Sequence, residues 1–383
     1  MPRLQELLDS HKVKYIVTSY SPAHTLQELE NYKNMLGMEL VEAVFLEIDN
    51  SQIVMAVLPA SLTIDIESLR QDLGTRQVRL LDSSEVEKFF PDCELGTILP
   101  MGEIYGVDVL LARDLEDNRE IKLYLDSYRN LLTMEWADFR RLLKVNEKRT
   151  IPTKSRYRVL IDKVSPSNAR QHLENYNSCF LGISLQNPNF STAKLVAIAD
   201  WIANRFQKCI VLVGDSLHRI TLQIDRGLNE KQALTQAILM GKEYINTEMT
   251  VFRCHADACN FQFVYCSEVK QLKEYENYYE QLQDLFAKNE RFAKSIQSFS
   301  REFVNRHIHL NEQNNSFNFY GEMCRKYLLE ELAIFSCLFT DQVCPIFYPG
   351  SLSIFKVISE GEHSDISASL KNIIHVSLRL KKR

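Results

Sequence analysis

The chemistry legible in this sequence begins at a serine. Residues 180–183 form an apolar run that ends at Ser184, and an amphipathic helix is expected over 191–206, with Leu195, Ile198, Ala199, Ile202 and Phe206 on one face. Ser184 is thereby placed just past the carboxyl end of a buried strand, the edge at which open α/β sheets hold their ligands. A hydroxyl there is either a nucleophile or a turn residue. Far downstream, in a helix expected over 322–335, Tyr327 and Glu331 are four residues apart and share a face. A carboxylate beside a phenol can hold an α-ammonium group and accept its proton; the same pair can equally be a boundary contact. No G-x-S-x-G elbow surrounds Ser184 and no Asp/His pair completes a triad, which disfavours ordinary serine hydrolysis.

These residues must be positioned by more than one core. The chain has 383 residues, enough for two domains at roughly 150 residues per domain. Its 45% hydrophobic and 25% charged content is that of a globular protein, and a net charge of −5 argues against a protein that coats nucleic acid, DNA included, through non-specific charge. The basic, polar segment 144–157 interrupts the periodicity on both sides and is expected to be an exposed linker between domains 1–143 and 158–383. In the first half, short β-type runs at 15–19, 41–48, 53–57, 78–81 and 107–111, with helices at 25–35 and 64–73, predict a mixed α+β domain. In the second, strands at 159–162, 178–183, 209–213 and 250–253 alternate with helices at 191–206 and 229–246, followed by long helices at 268–286 and 322–335. That alternation predicts a Rossmann-like parallel sheet.

The nine cysteines form no CxxC and several lie in apolar runs, which suits reduced thiols. Cys254, His255, Cys259 and Cys266 have spacings that suit no common zinc knuckle, so no metal is expected. With no signal peptide and no apolar stretch long enough to span a bilayer, the expected location is cytoplasmic, without membrane contact.

The strings GISLQNPNF at 182–190, IVLVGDSLHRI at 210–220, KYLLEELAIF at 326–335 and IFYPGS at 346–351 together resemble the tRNA-dependent cyclodipeptide synthases. The resemblance implies a Rossmann-like fold similar to the catalytic domain of class I tyrosyl- and tryptophanyl-tRNA synthetases. It also implies an aminoacyltransferase that joins two aminoacyl-tRNAs into a 2,5-diketopiperazine through aminoacyl-serine and dipeptidyl-serine intermediates. By the same resemblance Ser184 accepts the aminoacyl group, Asn187 positions its loop, Tyr327 and Glu331 hold the amine and move its proton, and Tyr348 serves the cyclisation step, with Phe355 as an alternative match. Phe180, Gly182, Val211 and Ile334 are implied to line the aminoacyl pocket. Asn187 together with Tyr348-Pro349 combines the signatures of two family branches. No ATP-binding HIGH- or KMSKS-like motif is present, and no cofactor is expected. Where relatives carry an arginine cluster, 229–249 is nearly free of Arg, so contact with tRNA is assigned to Arg149, Lys154, Arg156 and Arg158.

In the first half, SPAHTLQELE at 21–30, VLPASLTIDIESLRQDLG at 57–74 and FFPDCELGTILPMGEIYG at 89–106 resemble the YbaK/prolyl-tRNA deacylase superfamily of aminoacyl-tRNA editing domains. The resemblance implies a pocket at His24, Thr25, Gly96 and Pro100, with Glu42 where those enzymes carry a lysine. An acid there repels phosphate, which points to a degenerate editing domain. Two other functions stay open at this stage: an aminoacyl-tRNA deacylase acting through the first half, and a non-catalytic tRNA-binding protein.

Overall fold

The computed structural model describes residues 2–19, 37–50, 52–90, 98–125, 130–143, 150–307, 314–339, 343–350, 353–359, 363 and 365–383. The helix expected over 25–35 lies outside them.

The second half is built on a six-stranded sheet in the order Tyr157–Ser165, Ile374–Lys382, Pro345–Tyr348, Ser178–Ile183, Lys208–Val213, Asn260–Tyr265. All neighbours are parallel except the first pair. Ser178–Ile183 reads as an almost uninterrupted apolar run because parallel strands are covered on both faces. From it the chain moves outward to Lys208–Val213 on one side and returns to Pro345–Tyr348 on the other, so it is the topological switch point of the sheet. Helices Thr192–Ala203 and Glu230–Arg253 cover one face, and Lys273–Lys288 and Asn314–Leu338 the other. Asn229 caps Glu230–Arg253 by accepting from the Gln232 amide at 3.0 Å, and Gly227, at φ 62°, ends the preceding helix Asp215–Arg226.

Two expectations fail here. Residues 250–253 end the long helix Glu230–Arg253 instead of forming a strand; the strand beside Lys208–Val213 is the edge strand Asn260–Tyr265, whose alternating exposure hides it from an apolar-run reading. The helix expected over 268–286 is divided into Cys266–Val269 and Lys273–Lys288.

The first half has a five-stranded sheet ordered Val78–Leu80, Val41–Ile48, Gln52–Pro59, Asp108–Ala112, Thr150–Ile151, and a three-stranded one ordered Tyr15–Ser19, Asn130–Glu135, Glu120–Tyr124. The expected exposed linker is therefore corrected over its described part. Thr150–Ile151 pairs with Asp108–Ala112, Thr153–Ser155 pairs with Leu62–Ile64, and Ile151 is buried. Its polar side chains had hidden backbone groups that complete neighbouring strands. One apolar cluster runs across the seam, joining Met38, Leu46, Leu62 and Ile64 to Val159, Ile198, Ile245 and Phe252. Among the described residues, no helix is long and apolar enough to cross a membrane.

Candidate active site

Ser184 follows the switch-point strand, and the chain turns sharply after it. The Asn187 amide donates to the Ser184 carbonyl at 3.4 Å, and Gln186 takes a left-handed backbone, φ 59°, a conformation that costs a non-glycine residue free energy and recurs at functional turns. The parallel register sets Phe180 against Ile346 and Leu181 against Phe347, which brings Tyr348 alongside Gly182. A Cβ on Gly182 would stand 3.5 Å from the Tyr348 ring. The Tyr348 hydroxyl lies 3.0 Å from Ser184 Oγ, and Asn187 Nδ2 donates to it at 3.1 Å. Asn187 also caps the turn Pro188–Phe190 by accepting from the Asn189 amide, while Asn189 Nδ2 donates to the Pro349 carbonyl at 3.1 Å. The Asn and Tyr-Pro signatures thus meet in one hydrogen-bonded cluster.

Across from Ser184, helix Asn314–Leu338 presents Tyr327 and Glu331, with the Tyr327 hydroxyl 3.5 Å from Glu331 Oε1. Glu331 is buried and Tyr327 half-buried. Burial pushes the Glu331 carboxyl up to about 8, against a smaller lowering by Tyr327, and pushes the Tyr327 phenol well up. Glu331 Oε2 is buried with no hydrogen-bond partner among the described residues, so the protonated, neutral form is favoured at pH 7. The adjacent Glu330 points away, into a bidentate pair with buried Arg219 (2.6 and 2.8 Å) that also includes Lys270 at 3.0 Å. Burial raises the Glu330 carboxyl, but its bonds to Arg219 outweigh this and hold it below its ordinary value. That pair ties the helix carrying Glu331 to helix Asp215–Arg226.

Gly182, Ser184, Tyr327, Glu331, Ile334 and Tyr348 line one narrow cavity of about 30 Å³, completed by Ile183, Leu212, Gly214, Leu217, Cys266, Phe335 and Ile346. A space of this size is small beside an aminoacyl side chain. Two expected wall residues are corrected. Val211 pairs with Leu181 and shares the opposite face of the sheet, leaving Leu212, beside Gly182, to line the pocket. Phe180 shares the face of Gly182 but is sealed beneath the pocket against Phe339, ring centroids 4.8 Å apart. Phe355, the alternative match to Tyr348, is buried between Phe335 and His375. Sequence reasoning missed Leu212, Phe335 and Cys266. Phe335 was within reach, being one turn beyond Glu331 on the same face, whereas Cys266 was set aside as part of a cysteine cluster that the fold disperses. Among the described residues, no group of three or more His, Cys, Asp or Glu could hold a metal ion.

Two of the residues assigned to tRNA have other partners. Lys154 pairs with Asp65 at 3.0 Å, and Arg156 pairs with Glu42 while its Nε donates to the Leu62 carbonyl at 2.8 Å; Arg158 is exposed. Glu42 and Arg156 line a cavity of about 280 Å³ between the halves, and Pro100 is buried outside its lining. His24, Thr25, Gly96 and Arg149 lie outside the described residues.

The fold and cavity define an α/β protein with a serine at the carboxyl edge of its switch-point strand, facing a half-buried tyrosine and a buried glutamate. Residues 163–364 match the family model for cyclodipeptide synthases, and the chain belongs to that family. Residues 20–142 match the model for the aminoacyl-tRNA editing domain. A solved cyclodipeptide synthase from Fluoribacter dumoffii is 20% identical, covering 59% of this chain and 99% of its own, with a TM-score of 0.50. One from Bacillus thermoamylovorans is 19% identical over 60% and 97%, TM-score 0.47. Another, from Candidatus Glomeribacter gigasporarum and bound to Phe-tRNAPhe, is 19% identical over 56% and 94%, TM-score 0.43. A search of curated proteins finds no match.

Proposed function

We propose that this chain is an aminoacyltransferase that makes a 2,5-diketopiperazine from two aminoacyl-tRNAs, with Ser184 as the covalent carrier. The observation that supports this most is the convergence of Ser184, Tyr348, Tyr327 and Glu331 on one cavity. Ser184 Oγ attacks the ester carbonyl of the first aminoacyl-tRNA; the bond to the ribose oxygen breaks, and the serine proton passes to that oxygen. Tyr348, 3.0 Å from Oγ, orients the attacking oxygen. The amine of the aminoacyl-serine then attacks the ester of the second aminoacyl-tRNA, releasing that tRNA and leaving dipeptidyl-Ser184. Finally, the new terminal amine attacks the serine ester, the carbonyl-to-Oγ bond breaks, and Ser184 regains its proton as the ring leaves.

Glu331 and Tyr327 hold the amine. An arriving ammonium favours the carboxylate form of Glu331, which then takes a proton as the amine becomes a nucleophile. The apolar walls fit a hydrophobic first aminoacyl group. Both ester bonds arrive activated, so no step consumes ATP, and the supply of charged tRNA sets the reaction in the cytoplasm. In the first half, the ion pair between Glu42 and Arg156 favours a scaffolding or tRNA-contact role over hydrolysis. Mass spectrometry of medium from a bacterial host expressing the full chain tests the reading: a diketopiperazine should appear, and should vanish with Ser184→Ala. Soluble protein without product, or product that survives the substitution, sinks it.

A further inference from the structure

We propose that the amino-terminal half braces the loop carrying Ser184, by seating its turn Gly37–Glu39 on helix Glu230–Arg253, whose Tyr244 and buried Glu248 hold the far end of that loop. The loop from Ser184 to Thr192 is anchored twice. Its near end is the cluster with Tyr348. At its far end, the Tyr244 hydroxyl donates to the Phe190 carbonyl at 2.9 Å and Thr192 Oγ1 donates to Glu248 Oε1 at 2.6 Å. Tyr244 and Glu248 are one turn apart and so act from one face of the helix. The Phe190 ring, 5.6 Å from that of Tyr348, closes the circuit between the two anchors.

Glu248 suits this place because it is neutral there: burial pushes its carboxyl up to about 8, and Thr192 is its hydrogen-bond partner. A carboxylate would be unstable at 1% exposure.

An adjoining side of the same helix turn meets the first half. Gly37 has φ +62°, and a Cβ there would stand 2.7 Å from the carbonyl oxygen of Thr247, the residue next to Glu248. The turn is itself fixed to its own domain. Asn118 Nδ2 donates to the Met38 carbonyl at 3.3 Å, Ser61 Oγ contacts Met38 Sδ at 2.8 Å, and Lys122 pairs with Glu39. Met38 is buried in the cluster that contains Ile245, Val251 and Phe252. Where the helix ends, Cys254 Sγ donates to Asp117 Oδ2 at 3.4 Å. The first half therefore grips the helix at Thr247 and again past Arg253, on either side of the turn that carries Glu248.

The test uses the full chain and two readouts: hydrogen exchange of the peptide spanning 184–192, and the single-turnover rate of Ser184 acylation by aminoacyl-tRNA. Gly37→Ala and Glu248→Ala should each raise loop exchange about tenfold and slow acylation about 10- to 100-fold without a matching rise in KM, because a small displacement of a reacting group is costly. Glu248→Gln, which keeps a neutral acceptor for Thr192, should leave both within about twofold. If Gly37→Ala does not fold, Met38→Ala takes its place. Loop exchange equal to the parent in the folded seam variant overturns the brace, as does a Glu248→Gln variant as impaired as Glu248→Ala. The acylation readout rests on the proposed function; if the parent itself fails to acylate, that reading falls while exchange still decides the brace.

Discussion

Glu331→Gln should flatten the dependence of stability on pH. In an unfolded chain this carboxyl loses its proton near its ordinary value of 4.5, whereas in the folded protein it keeps it up to about 8. Between those values the native state binds a proton that the unfolded state has released, so stability falls as pH rises. The contribution is fully present below 4.5 and is lost on passing through about 8. At 1.36 kcal/mol per pH unit the full span corresponds to about 5 kcal/mol, an upper figure because water entering the cavity would lessen it. An amide of the same shape cannot ionise. The unfolding free energy of the variant should therefore gain on the parent by about 2 to 3.5 kcal/mol between pH 5 and pH 8. Glu248, also raised to about 8, is common to both proteins and cancels in the difference. Urea unfolding of both at closely spaced pH values measures it. Parallel curves over that range would refute the claim that Glu331 is held neutral by burial.

Tyr348→Phe removes the hydroxyl shared by Ser184 and Asn187; acylation should slow about 10- to 100-fold with little change in KM, as measured by single-turnover transfer. Arg219→Met leaves Glu330 buried with only Lys270 to balance it and should cost about 3–5 kcal/mol in urea unfolding, whereas Arg219→Met with Glu330→Leu should cost much less. Gly182→Val adds bulk beside Tyr348 and should shift the diketopiperazine spectrum toward smaller side chains, read by mass spectrometry of the medium.

The strand before Ser184 and the helix with Tyr327 and Glu331 were legible because each has a strong local signal, whereas the short strand Pro345–Tyr348 that carries Tyr348 was not read as an element. Ser178–Ile183 is a continuous apolar run, and Tyr327 and Glu331 share a helix face whatever the helix packs against. What escaped was whatever depends on a partner far away in sequence. Val211 and Leu212 are equally apolar, and only the pairing of Gly182 with Leu212 decides which one meets the pocket. Lys154 and Arg156 look like free surface charge until Asp65 and Glu42, some ninety residues or more earlier, are set beside them. Val251 and Phe252 are good strand formers, yet burial against the sheet keeps them in the last turn of a long helix.

The strand Thr153–Ser155 lies in the first half, Tyr157–Ser165 lies in the second, and Arg156 alone separates them. Rotation between two bodies requires slack chain, and this junction has none: its residues are committed to backbone ladders on both sides. The modularity suggested by two family matches is therefore genealogical and not mechanical. Severing the chain within 150–157 would strip partners from Leu62–Ile64 and Asp108–Ala112, leaving bare strand edges that template self-association. A nucleic acid that touched both halves would meet surfaces joined through neighbouring backbone ladders, Thr153–Ser155 on one side and Tyr157–Ser165 on the other.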